Sequence, residues 1–312
     1  MKDDAVAPVI AIMLILATIV TFYSLWNAHV IPSLKQSSEV DHLHNVESAF
    51  QHLSSDIERA VAFKQDNLVF SEPVQMGGGD TAFDSLRSAG SLYVRNESQP
   101  VYTLTLYDRS GNAMATMDGT LVAVSYEPVG NYWQDQGYSW QYGYINVTKY
   151  RTLETPLGYY TMTNVRNGFE GDGSLGAFAR SFGTAEYTMN QSAMPGNCSA
   201  ITLIATNLTA LQDRNFASGN GYGTVKAKST VKTISWPDVY HIRVESDQTP
   251  FGNATLENWN TSLSVLADTC TGNNITYLPE PPGSNVREYS IEQGKNPLQV
   301  VLKTVSIEVG VS

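Results

Sequence analysis

Charge is scarce in this chain, and positive charge scarcer. Only 16% of its 312 residues are charged, 19 basic against 30 acidic, for a net charge of −11. The basic residues are scattered and form no run. That argues against a nucleic-acid partner, which calls for a concentrated positive footprint. Cysteine is nearly absent, with Cys198 and Cys270 alone. In an oxidising compartment these two can form one disulfide, and two buried free thiols are the alternative.

Signatures of chemistry are missing too. The five histidines are His29, His42, His44, His52 and His241. His44 and His52 lie eight apart, without the i, i+4 spacing of a metal-binding pair, and read as solvated. Met76-Gly-Gly-Gly-Asp80 and Gly294-Lys295-Asn296 lack the GK[ST] of a phosphate loop and read as turns. Glu170-Gly-Asp-Gly-Ser174 lacks the spaced acidic ligands of a calcium loop. There is no G-x-S-x-G elbow, and no carboxylate spacing marks a general acid and base. The expectation is a protein that is not an enzyme and holds no metal or cofactor.

What the chain does have is an uncharged stretch, Ala5 to Trp26. As a helix it is roughly 33 Å long, about one bilayer core. It is too long for a cleavable secretory signal and reads as a spanning helix. Pro8 falls in its first turns, where a missing N–H costs least. Pro32 predicts a kink or brief break, and Ser37 or Ser38 supplies a cap for a second helix. In that helix Val40, Leu43, Val46, Phe50, Leu53, Ile57 and Val61 recur three or four apart. Glu39, Glu47, Asp56, Glu58 and Arg59 are assigned to the opposite face. The apolar stripe must pack on the protein's own body or on neighbouring copies.

After Asn67 the pattern turns to short alternating runs punctuated by Gly, Asn, Asp and Pro, which predicts strands. Arg109–Asn112 and Asp118-Gly119 read as turns, and residues 159–163 as a strand. Val239 to Val244 is expected to pair with the long strand Tyr222 to Ser235. Leu256, Trp259, Leu263 and Leu266 predict a short helix. Residues 298–311 read as a central strand. The Gly-rich stretch Asn167 to Gly183 is a long loop or a boundary between two β lobes. Aromatics between Tyr126 and Tyr160 are a glycan-stacking belt or cross-strand packing. The expected architecture is α+β, a long hydrophobic helix followed by a sandwich-like β body. Its units are residues 1–35, an amphipathic stalk at 36–64 and a β-rich domain at 65–312.

Eight N-x-[S/T] sequons start at Asn96, Asn146, Asn190, Asn197, Asn207, Asn253, Asn260 and Asn274. All lie on one side of the apolar run, as suits an exported, glycosylated body.

The opening Asp3-Asp4-Ala-Val-Ala-Pro-Val-Ile-Ala-Ile-Met-Leu-Ile-Leu-Ala-Thr-Ile-Val resembles that of archaeal type IV pilins and pilin-like, archaellin-like surface proteins. Their charged lead-in precedes Ala-Val-Ser-Pro-Val-Ile and an unbroken apolar helix. Here Ala7 stands where Ser is usual. The stretch from Gly119-Thr-Leu through Asn131-Tyr-Trp to Tyr142-Gly-Tyr144 is similar to a pattern in larger members. The resemblance implies a cut by a prepilin peptidase after Lys2 or slightly later. It also implies passage through the membrane and a pilus assembly machinery that builds a homo-oligomeric helical filament at the archaeal cell surface. The assembly helix would use Ala5, Val6, Pro8, Val9, Ile10, Ile12, Leu14, Ile15, Ile19, Val20, Phe22 and Leu25. A single-span membrane-anchored surface protein, or a minor pilin, that does not polymerise shares every one of these features.

Overall fold

The computed structural model describes residues 6–77, 88–131, 134–150, 153–159, 161–189, 196, 198–281, 283–292 and 298–312. It opens with α1 (Val6–Leu25), a π-helical turn (Trp26–Val30) and α2 (Ile31–Phe63), which run on as one rod. No break occurs at Pro32. Proline cannot donate to the carbonyl one turn back, and its ring crowds that carbonyl. The π turn absorbs both problems: Ile31 N–H bonds Trp26 O, five residues back, and the helix continues. Ser37 and Ser38 therefore lie inside α2 and cap nothing. Lys64, in the left-handed conformation, ends the rod with its N–H on Ala60 O.

The body then runs β1 (Val69–Gln75), β2 (Ala89–Asn96), β3 (Tyr102–Tyr107), β4 (Ala113–Gly119), β5 (Val122–Val129), β6 (Gln136–Gln141), β7 (Tyr144–Lys149) and β8 (Leu153–Pro156). Two helices follow, α3 (Met162–Glu170) and α4 (Ser174–Arg180). Next come β9 (Gly183–Met189), β10 (Cys198–Ala210), β11 (Phe216–Gly219), β12 (Tyr222–Trp236) and β13 (His241–Ser246). The chain closes with α5 (Pro250–Thr269), β14 (Ile275–Leu278), β15 (Val286–Ile291) and β16 (Gln299–Val311).

Three sheets result. The first has the order β1-β12-β16-β10-β9, the second β11-β2-β5-β6-β7-β8, and the third β14-β15-β13-β3-β4. The Val-rich β16 is central, antiparallel to β12 and parallel to β10. The first two sheets pack through β10 and β16 against β2 and β5. α2 wedges between them, touching β1, β12 and β16 on one side and β6 and β7 on the other. α5 joins β9 of the first sheet to the third sheet. One connected core includes side chains from all three sheets and from α2, α3, α4 and α5.

Four sequence expectations for the body change. Val239 to Val244 does not pair with β12; β13 lies between β3 and β15 in the third sheet. Pro237 and the left-handed Asp238 (φ 59°) turn the chain away from the first sheet. Asp118 and Gly119 are the end of β4 rather than a turn, and Gly119 has no Cβ because the Tyr102 ring occupies that space. Asn167 to Gly183 is neither loop nor lobe boundary. Val165 and Phe169, then Leu175, Phe178 and Ala179, are the buried faces of α3 and α4. The predicted strand at 159–163 gives way to the start of α3, where the Thr161 hydroxyl caps Asn164 N–H. Gly183 is needed because the Trp259 indole lies directly against its backbone.

Candidate functional site

Residues 8–29 are all exposed, and the first buried residue along the rod is Glu39. α1 is therefore a free-standing helix, about 30 Å long, projecting from the body. Pro8, Val9, Ile10, Ile12, Leu14, Ile15, Ile19, Val20, Phe22 and Leu25 all stand in the open. Val6 is helical, and Ala5 lies outside the described residues. Apolar side chains point in every direction: Ile12 is 66% exposed, Leu16 61% and Phe22 67%.

Two hydroxyls midway along this helix are satisfied by its own backbone. The Thr18 hydroxyl donates to Ile15 O (2.8 Å) and the Thr21 hydroxyl to Ala17 O (2.7 Å). At the body-side end Phe22, Tyr23 and Trp26 gather, with the Phe22 and Trp26 rings 6.2 Å apart. Tyr and Trp favour the membrane–water boundary, apolar ring inward and polar tip outward. The helix is long and apolar enough to cross a membrane. An exposed apolar rod of this size calls for an apolar environment, lipid or other helices.

The stalk's apolar stripe packs on its own body. Leu43, Val46, Phe50, Leu53, Ile57 and Val61 are buried there, while Val40 stays 39% exposed. Polar contacts set the register. Trp140 Nε1 donates to Ser54 Oγ (3.0 Å), Asn45 Nδ2 to Gln75 Oε1 (3.2 Å), and Tyr138 OH to Glu47 Oε2 (3.4 Å). Tyr126, Tyr138 and Trp140 are buried, so these members of the aromatic belt are packing. Tyr132 and Trp133 lie outside the described residues.

Glu39, assigned above to the outer face, corrects that expectation, and His42 lies beside it on the same side. Both are buried. Their spacing to Leu43 and Val46 already placed them on the stripe, but polarity concealed it. His42 Nε2 lies 2.9 Å from Tyr126 OH, which itself donates to Met76 O (3.2 Å). Nε2 is therefore the protonated nitrogen and donates to Tyr126, leaving Nδ1 bare and without a hydrogen-bond partner among the described residues. Burial pushes the His42 pKa below 6.5, against an opposing pull from Glu39. Protonation would bury an N–H with no acceptor.

The sign follows. The unfolded chain takes up this proton more readily, so the contribution is full above pH 6.5 and falls away as pH drops through the lower folded pKa. Melting temperatures measured downward from pH 7 are expected to fall. His42→Gln, which keeps a donor for Tyr126, flattens that part of the profile. An unchanged slope in the variant refutes the assignment. His44 and His52 are exposed, as expected, with His52 Nδ1 3.3 Å from Glu72 Oε1.

The sequons differ in access. Asn146 is buried, and Thr255, the hydroxyl residue of the Asn253 sequon, is buried and donates to Ala179 O. Asn207 and Asn260 are half-buried, and Asn260 Oδ1 accepts from Tyr289 OH. Asn96 with Ser98 and Asn274 with Thr276 are exposed at both ends. Asn190 and Asn197 lie outside the described residues.

Cys198 and Cys270 form a disulfide, Cα–Cα 5.4 Å, which fastens the start of β10 to the end of α5. This decides between the bridge and two free thiols. Glu170–Ser174 is the bend between α3 and α4, where Asp172 contacts Arg180 at 3.4 Å. Among the described residues, no three His, Cys, Asp or Glu side chains come together as metal ligands. Most of Met76–Asp80, and Gly294–Asn296, lie outside the described residues. Comparison with protein-family models, curated proteins and solved structures finds no match for this chain.

Proposed function

We propose that this chain is a structural subunit of an extracellular filament of the archaeal type IV pilus kind, polymerising through α1 and displaying its β body outward. The observation that carries this reading is the free-standing apolar helix, continuous with a stalk locked into the body. A continuous rod suits a subunit whose body must follow its helix into a polymer. The membrane holds α1 before assembly, and helix–helix contacts replace lipid afterwards, with Ala11 and Ala17 permitting close approach. A prepilin peptidase and an assembly machinery are the partners this reading requires, and the role is adhesive or structural rather than catalytic.

The disulfide supports an oxidising, extracellular setting for the body. A second reading, a single-span anchor that does not polymerise, is favoured by Tyr23 and Trp26 at the end of the apolar helix. Electron microscopy of purified surface appendages, with N-terminal sequencing, separates the two. Filaments built of a chain lacking its first residues support the subunit. A detergent-extracted monomer retaining Met1 refutes it. If the body is glycosylated, glycans are expected on Asn96 and Asn274 and not on Asn146. Mass spectrometry of tryptic peptides checks this, and a glycan on Asn146 in folded protein contradicts it.

A further inference from the structure

The two packed sheets have outer faces of opposite charge. Along β12 the odd positions Val225, Ala227 and Ser229 turn into the core, while Lys226, Lys228 and Lys232 stand exposed on the other side. Across from them β1 presents only Ser71 and Val69, and β16 presents Gly310, Glu308 and Thr304. One carboxylate thus faces three ammonium groups, in a chain with a net charge of −11.

The outer face of the second sheet is a trough of about 490 Å³. Its floor is small, with Ala123, Ser125, Gly137 and Ser139. Among the described residues its walls carry Glu97, Glu127 and Glu154, with the guanidinium of Arg95 beside them. A small floor leaves room for long side chains to enter, and lysine stems can lie along it. α2 lies between the two sheets, so it covers neither outer face, and α5 packs on the β9 edge of the first.

We propose that the lysine face of one copy of this chain docks on the acidic trough of the next. The patches are unlike and lie on opposite sides of one body, so no copy can satisfy its own. A contact between unlike patches is heterologous and repeats by the same step, which generates an open helical array. Opposite potentials also set the approach and the register. The inference rests on the filament reading and adds to it the body-to-body contact.

Full-length protein from mixed ¹⁴N- and ¹⁵N-grown cells, assembled or in detergent, is treated with a water-soluble carbodiimide. This reagent condenses an amine and a touching carboxylate into an amide and leaves as its urea. Mixed-isotope peptides joining Lys226, Lys228 or Lys232 to Glu97, Glu127 or Glu154 are expected. In a second arm, one variant carries Lys226→Glu, Lys228→Glu and Lys232→Glu, and another carries Glu127→Lys and Glu154→Lys. Each alone loses self-association at least tenfold, and an equal mixture recovers it.

All five substituted positions are exposed, so the fold is retained. Filaments without these links, or variants that associate alone as well as wild type, overturn the inference and leave the filament reading standing. Links between copies in a chain that forms no filament uphold the contact and sink the filament. Binding of the lysine face to anionic vesicles, with no mixed-isotope link, assigns it to lipid and overturns the proposal.

Discussion

Deletion of residues 5–26 is expected to abolish filaments and membrane partition together, while leaving a folded, soluble body. α1 is fully exposed along its described side chains, so removing it takes nothing from the core. On the filament reading, the same exposure makes it the segment that must stay covered, by lipid before assembly and by other helices afterwards. Covering a helix of this size is worth tens of kcal/mol at about 25 cal/mol per Å² of apolar surface. No body contact compensates for that loss. The body keeps its wedge, because the buried part of α2 begins at Glu39. Size-exclusion chromatography without detergent, far-UV circular dichroism and electron microscopy check the three parts of the result. Filaments that persist without α1 would refute the proposed role. A truncated chain that fails to fold would instead show that α1 contributes to the body.

Loss of the disulfide is expected to have the next largest effect. Cys198 and Cys270 are 72 residues apart, and closing a loop of that length restricts the unfolded chain by about 4 kcal/mol. The joined points belong to different layers, β10 between β16 and β9 in the first sheet and α5 at the seam with the third. Cys198→Ser with Cys270→Ser should therefore lower the melting temperature by roughly 10 °C for a body of this size. Since both cysteines are buried, a mild reductant should leave the native wild-type bridge intact. Differential scanning calorimetry of the two proteins provides the test. A shift of only one or two degrees would mean that the seam is held by packing alone.

The long features were legible because their signal is periodic. Twenty-two uncharged residues can only be a helix in an apolar medium or a buried one. The three-four spacing from Leu43 to Val61 requires a partner surface, and Val and Thr at alternate positions require a sheet. The misread parts are those where one local signal concealed another. Glycines hid the i, i+3, i+4 pattern of Leu175, Phe178 and Ala179. Acid and imidazole groups hid the place of Glu39 and His42 on the buried stripe. Proline at 32 suggested a break that one wider turn avoids.

By itself the amino-acid order determined that a long apolar rod stands at one end of a polar β body, because periodicity and charge act over a few residues. Only the tertiary structure decided which surface the stalk covers, that Cys198 meets Cys270, which sequons stay open, and that the outer faces of the two packed sheets oppose each other in charge. Those depend on pairings between residues tens to hundreds of positions apart, and no local pattern encodes a partner at that distance.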